Sequence, residues 1–198
     1  MMYEKREYDN TKHPKITNDV GGLLNRGESN YLNQVASRVG QGTYVDLGTF
    51  RGASAISIAD GIRTAGVDAI VWTFDTFDRR HLSRRFAKDR DDSPRDAVEV
   101  AIRERDLDRY IQIHTMKTAD APIQLSIFYN CVQFLFLDAD HSYEGTKADW
   151  EAWGPYLRAD AEVAFHDSNL DGVRRVIDEL DGWEQVDEVM TIGVVKRC

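Results

Sequence analysis

The chain has 198 residues, 42% of them hydrophobic and 30% charged, with a formal net charge of −9. That size suits one domain with a full core. The acidic balance argues against a nucleic-acid partner, whose phosphates are bound by Lys and Arg. No apolar run is long enough to span a bilayer. The polar start, Met-Met-Tyr-Glu-Lys-Arg-Glu-Tyr, lacks the apolar segment of a signal peptide, so a cytoplasmic protein is expected. The two cysteines, Cys131 and Cys198, have neither metal-ligand nor redox spacing.

Residues 1–22 carry Asn-Thr-Lys-His-Pro and Gly-Gly and read as an N-terminal arm, with 23–198 as a single domain. Helical spacing over 27–39 places Tyr31, Leu32, Val35 and Val39 on one side, and Gly40 and Gly42 end it. A strand over 43–47 and a helix over 53–64 follow. A second strand, Ala-Ile-Val-Trp-Thr-Phe, covers 69–74. The highly charged stretch 79–95 contains Arg79, Arg80, Arg84, Arg85, Lys88 and Arg90 and is a candidate substrate lid or a solvated surface segment. A helix is predicted over 94–104, a strand over 111–115, a short helix over 121–128 and the most apolar strand over 132–137. The spacing predicts a helix over 143–157, with Trp150, Trp153 and Leu157 inward, then a strand over 162–165 and a helix over 172–180. Two last runs, 183–188 and 191–196, are too closely joined for a parallel crossover and read as an antiparallel hairpin. Alternating strands and helices with continuous apolar runs define an α/β fold with a mostly parallel sheet.

In open sheets of this kind, ligands bind outside the carboxyl ends of the strands. The first strand runs into Asp46-Leu47-Gly48-Thr49-Phe50-Arg51-Gly52-Ala53-Ser54, where Gly48 permits a tight turn and Gly52 lets the next helix pack close. The glycines are four apart, which departs from the G-x-G-x-x-G of dinucleotide folds. Asp75 ends the second strand, where a carboxylate can accept from both ribose hydroxyls. Thr118 follows the third, with Met116 beside it, and reads either as an adenine contact or as a helix cap. The fourth strand ends in Asp138-Ala139-Asp140-His141 and the fifth in His166-Asp167. Such residues are costly near a core unless paired or ligated. Asp138 and Asp167 offer hard oxygen ligands for Mg²⁺ or a similar ion, and His141 is placed to act as a base.

The order Val-Asp-Leu-Gly-x-x-x-Gly-x-Ser, an acid after the next strand, Phe-Leu-Asp-x-Asp-His-x-Tyr and Phe-His-Asp resembles the class I S-adenosylmethionine (SAM)-dependent methyltransferases. Within them it is similar to the metal-dependent macrocin- and mycinamicin-type sugar O-methyltransferases. The resemblance runs from about Gly21 to Lys196. It implies a Rossmann-like doubly wound sheet of seven strands whose last strand is antiparallel. It also implies SAM bound by Asp46, Gly48, Gly52, Ser54, Asp75, Thr118 and Asp138, with His141 as catalytic base. The divalent metal falls to Asp138, His166 and Asp167. His166 stands where the macrocin-type enzymes carry an acidic ligand, and imidazole suits Zn, Fe or Ni better than Mg.

The expected reaction is metal-assisted methylation of a small-molecule hydroxyl, with a sugar or glycoside as the first candidate. Neither nucleic acid nor membrane is an expected partner, and a homo-oligomer stays open. Three other readings share parts of the pattern. They are an NAD(P)-dependent oxidoreductase, a non-catalytic SAM-binding module and a metal-dependent hydroxylase-type activity built on His141, His166 and Asp138.

Overall fold

A computed structural model describes residues 22–78, 93–125 and 131–198. The elements are α1 (Arg26–Val39), β1 (Gly42–Leu47), α2 (Ala53–Ala65), β2 (Ala69–Asp75), α3 (Pro94–Arg103), β3 (Ile111–Thr115), α4 (Ala121–Leu125), β4 (Val132–Leu137), α5 (Tyr143–Trp153), β5 (Leu157–Phe165), α6 (Asp171–Asp178), β6 (Trp183–Val189) and β7 (Ile192–Arg197). The N-terminal arm up to residue 21, the charged stretch 79–92 and the end of the predicted helix at 126–128 lie outside the described residues.

Seven strands form one sheet in the order β3-β2-β1-β4-β5-β7-β6. β1 pairs in parallel with β2 and β4, and β2–β3 and β4–β5 are parallel too. β7 runs antiparallel to both β5 and β6, so the α/β architecture and the terminal hairpin are as the sequence predicts. Alternation along each central strand divides the core. Tyr44, Phe134, Phe136 and Ala164 face the layer of α1, α2 and α3. Val45, Leu135, Leu137, Val163 and Phe165 face the layer of α5 and α6. β4 is buried at all six positions, which is why its sequence is apolar everywhere except Gln133, whose amide donates to the Asp160 carbonyl.

One boundary differs from the prediction. The helix expected to reach Leu157 stops at Trp153, a single 3₁₀ turn follows over Gly154–Tyr156, and β5 begins at Leu157. Gly154 weakens the helix, and Pro155 has no N–H with which to continue it. The start of β5 escaped the sequence reading because Arg158, Ala159 and Asp160 are exposed. They lie in an irregular stretch where the partner of β4 jumps from Leu157 to Glu162.

α5 is anchored by Trp153, which is fully buried, tilts against Phe74 at 5.3 Å and donates its indole N–H to the Thr118 carbonyl at 2.9 Å. That bond ties the last turn of α5 to the turn after β3. Trp153→Ala removes the packing and orphans a carbonyl, so it should lower unfolding stability by about 3–5 kcal/mol. Urea denaturation followed by far-UV circular dichroism measures this, and a loss under about 1 kcal/mol would show that the site collapses around the deletion.

Candidate active site

The strand order reverses between β1 and β4, and the crevice above that point is where an open α/β sheet binds ligands. A cavity of about 750 Å³ occupies it, within the size range of sites for drug-sized ligands. Gly48, Ser54, Asp75, Thr118, Asp138 and His141 line it. Asp46, Gly52, His166 and Asp167 are not among its lining residues and sit below or beside it. Gly22, Leu23 and Leu24 also line it, so the segment just before α1 forms part of the wall.

Gly48 has φ +102°, and a Cβ there would lie 2.1 Å from the Asp138 carbonyl oxygen. The loop after β1 therefore rests directly on the backbone at the end of β4. Gly52 has φ +86° and precedes α2. Its side-chain space is filled by Val98 of α3, whose Cγ2 would lie 2.2 Å from a Cβ. The sequence predicts close helix–strand packing at Gly52; the structure gives it a left-handed turn and a close contact with α3.

Asp46 is completely buried beneath this loop. Its Oδ2 accepts from Thr73 Oγ1 at 2.5 Å, and Thr73 in turn contacts Thr49. Burial pushes its carboxyl up to about 7, with the charges of Asp138 and Asp75 adding and the hydrogen bonds from Thr73 and Ser54 opposing. Ser54 lines the cavity and bonds to Asp46. Asp75 lies at the cavity with Oδ2 accepting from the Phe50 N–H at 2.8 Å and Oδ1 from the Phe77 N–H at 2.7 Å. Phe50 and Phe77 both have left-handed backbones, φ 44° and 54°, which fold the two loops around this carboxylate. Each oxygen keeps a lone pair for a ligand hydroxyl.

Thr118 opens the short turn after β3 but makes no side-chain cap there. Its hydroxyl donates to Asp149 Oδ1 on α5 at 2.5 Å, so its hydrogen is engaged within the protein rather than turned to an adenine nitrogen. Met116 packs into the core layer of α5 and α6. Asp149, missed in the sequence, is 4% exposed and lines the cavity, and burial raises its carboxyl to about 6 against the Thr118 hydrogen bond.

The ends of β4 and β5 bring the predicted acids and histidines together. Asp138 Oδ1 lies 3.2 Å from His141 Nε2 and 3.0 Å from His166 Nδ1. Asp167 Oδ2 lies 3.6 Å from His141 Nε2 and 3.7 Å from His166 Nδ1. Asp167 has φ 51°, an uncommon backbone for a residue with a side chain. The loop that carries His141 is clamped by Ser142, which accepts from the Gly145 N–H at the start of α5. From the other side Gly172 of α6 presses on it, where a Cβ would lie 2.6 Å from the His141 carbonyl. Burial opposes charge on both Asp138 and His166, yet their mutual contacts win. Asp138 is held below the usual carboxylate range, and His166 rises to about 10 between Asp138 and Glu28. His141 is also raised, first by its hydrogen bond to Asp138.

Glu28 is the residue the sequence reading missed. It is 2% exposed on the first turn of α1, and its Oε2 lies 3.4 Å from His166 Nε2. Asn25 N–H donates to the same oxygen at 2.9 Å, and Thr191 donates to Oε1 through its hydroxyl at 2.6 Å. Burial works against its charge, but these donors and His166 bring its carboxyl down to about 2. Asn25 and Glu28 form a capping box, a pattern that N-x-x-E displays in the sequence. The pattern signals the helix start but not the contact with His166.

Asp138, His141 and His166 present donor atoms within 4.8 Å of one another. Both ring nitrogens of buried His166 lack a well-aligned hydrogen bond, and three carboxylates converge on them. That geometry fits a divalent cation with mixed nitrogen and oxygen donors.

The strand order departs from the dinucleotide-binding order 3-2-1-4-5-6 by the insertion of β7 between β5 and β6. This seven-stranded arrangement, with a crevice walled by the β1, β2 and β4 loops, is the architecture of class I methyltransferases. A methyltransferase-domain family model matches residues 45–168, more than half of the sequence, and the chain belongs to that family. No curated protein sequence matches it. Among solved structures, an O-methyltransferase from Bacillus cereus in complex with SAH superposes with a TM-score of 0.66 at 16% identity, covering 94% of this chain and 91% of that one. A methyltransferase from Geobacter sulfurreducens gives 0.65 at 13% identity, covering 92% and 84%. The O-methyltransferase NovP gives 0.62 at 21% identity, covering 85% and 76%. At these identities the likeness establishes the fold.

The buried Asp46 makes stability depend on pH in a direction that can be checked. Its folded pKa of about 7 lies above the ordinary 3.8, so between those values the native state holds more protons than the unfolded one. Stability from this group therefore falls as pH rises through that window. Asp46→Asn keeps a neutral side chain throughout, so in the presence of EDTA its melting temperature should gain on the unmodified protein from about pH 4 to 7. Parallel melting curves across the series would refute the assignment.

Proposed function

We propose that this protein is a SAM-dependent O-methyltransferase that methylates a hydroxyl of a small molecule with the help of a divalent metal. The observation that carries the reading is the convergence of Asp138, His141, His166 and Asp167 beside a cavity whose other end is built by Gly48 and Asp75. SAM supplies an already electrophilic methyl group, so the protein's work is alignment and activation of the acceptor oxygen. In this reading Asp75 accepts from the ribose hydroxyls and Gly48 lets the cofactor approach the backbone. Ser54 and Asp46 support the loop from beneath.

Asp138, Asp167 and His166 would hold the metal, which supplies a lowered pKa at the acceptor hydroxyl. The two histidines divide by exposure. His166 is 7% exposed, as suits a ligand, whereas His141 is 34% exposed at the cavity and can meet a substrate. His141 Nε2 faces the Asp138 carboxylate and carries the proton between them, so the other ring nitrogen accepts the hydroxyl proton as the methyl moves, and Asp138 stabilises the imidazolium that forms. The resemblance to the macrocin- and mycinamicin-type enzymes supports a sugar or glycoside as the acceptor class.

His141→Ala should bind SAM with unchanged affinity and lose about 10²–10⁴-fold in turnover, as measured by SAH release with a panel of glycosides and phenols. Full turnover in that variant on the best acceptor would rule out the base. Activity that survives chelation, with metal absence confirmed by elemental analysis, would rule out the metal.

A further inference from the structure

We infer that Glu28 is a positioning residue that fixes the His166 ring with its Nε2 proton toward α1 and its Nδ1 lone pair toward the cluster, so that the centre takes an imidazole-binding transition ion in preference to Mg²⁺. The inference rests on the metal reading given above and names the group that makes His166 a ligand.

The Glu28 carboxylate is held rigidly. Thr191 donates to Oε1 from its hydroxyl at 2.6 Å and from its backbone N–H at 3.2 Å. The Asn25 N–H donates to Oε2 at 2.9 Å. The remaining direction of Oε2 faces His166 Nε2 at 3.4 Å. A carboxylate only accepts, so the nitrogen that faces it must carry a proton. On the opposite edge of the ring, Nδ1 lies 3.0 Å from Asp138 Oδ1 and 3.7 Å from Asp167 Oδ2. A bare lone pair so close to carboxylate oxygens is repulsive unless a cation lies between them. A proton or a metal can serve, and neither contact of His166 is aligned as a hydrogen bond. Metal-bound histidines commonly give their second N–H to a carboxylate, which fixes the tautomer and raises the ring's basicity. Glu28 is placed for that role from another element of the fold. Mg²⁺ favours an all-oxygen octahedron, whereas imidazole favours Zn²⁺, Co²⁺, Ni²⁺ or Fe²⁺.

The test uses the full chain, stripped with chelator and titrated with Co²⁺ while its visible absorption is recorded. The unmodified protein should show saturable bands at one ion per chain that excess Mg²⁺ does not abolish. Glu28→Gln should weaken Co²⁺ binding by about 10–100-fold with its far-UV spectrum intact. Thr191→Val, which removes one Glu28 partner without touching His166, should lower the melting temperature and keep the bands closer to the unmodified protein. Should Glu28→Gln not fold, long-range ¹H–¹⁵N correlation on the Zn²⁺-loaded unmodified protein reads the same point: His166 Nε2 protonated and Nδ1 metal-bound. Unchanged Co²⁺ affinity in Glu28→Gln, a proton found on Nδ1, or ready displacement of Co²⁺ by Mg²⁺ would overturn the inference while leaving a metal site. Absence of saturable binding by either ion would overturn the metal reading itself and the inference with it.

Discussion

The contact between Gly48 and the Asp138 carbonyl sets the geometry on which the rest of the site depends. A Cβ at Gly48 would lie 2.1 Å from that oxygen, so the loop leaving β1 can settle onto the end of β4 only through a residue with no side chain. The parallel pairing of β1 with β4 runs to Leu47 and Leu137, and the Asp138 N–H continues it by donating to the Leu47 carbonyl at 2.8 Å. The same backbone pair thus fixes the glycine loop on one side and the first residue of the acid–histidine cluster on the other. A shift of either strand would move both halves together, which keeps donor and acceptor positions in register.

Charge balance is the second constraint. Glu28, Asp138 and Asp167 surround His166 and His141, and burial makes each unpaired carboxylate expensive. The protein meets this cost by drawing His166 up to about 10 and holding Glu28 near 2. Metal binding would exchange protons on the cluster for the ion, because ligating nitrogen must be unprotonated. The cluster is therefore built to contain positive charge in every state, and what changes between states is whether protons or a metal carry it.

Much of this was legible in the sequence because it is local. Gly48, Asp75, Asp138, His141 and Asp167 each follow directly from a recognisable apolar strand, and strand ends in a parallel sheet gather at one edge. The hairpin of β6 and β7 was equally plain from its short connection. What escaped reading depends on contacts between distant segments. Glu28 reads as a capping residue until α1 is docked beside β5 and the β6–β7 turn, and then it becomes the neighbour of His166 and Thr191. Thr118 reads as a ligand donor until α5 supplies Asp149 as its acceptor. Gly52 reads as a strand contact until α3 brings Val98 against it.

These distant contacts also explain why the two ends of the cavity have different characters. The β1–β2 end is made of backbone groups and of a carboxylate pinned by two amides, Phe50 and Phe77, so its shape is set by turns that tolerate little change. The β4–β5 end is made of side chains whose orientation is set from behind, by α1, α6 and the β6–β7 turn. An end defined by backbone suits a ligand that never varies, as a methyl donor does not. An end defined by side chains and their supporting layer can be retuned by single substitutions without disturbing the backbone-built half. The proposed chemistry therefore divides along the same line as the structural constraints: the invariant reactant sits on turns, and the metal and acceptor sit on residues whose partners lie elsewhere in the fold.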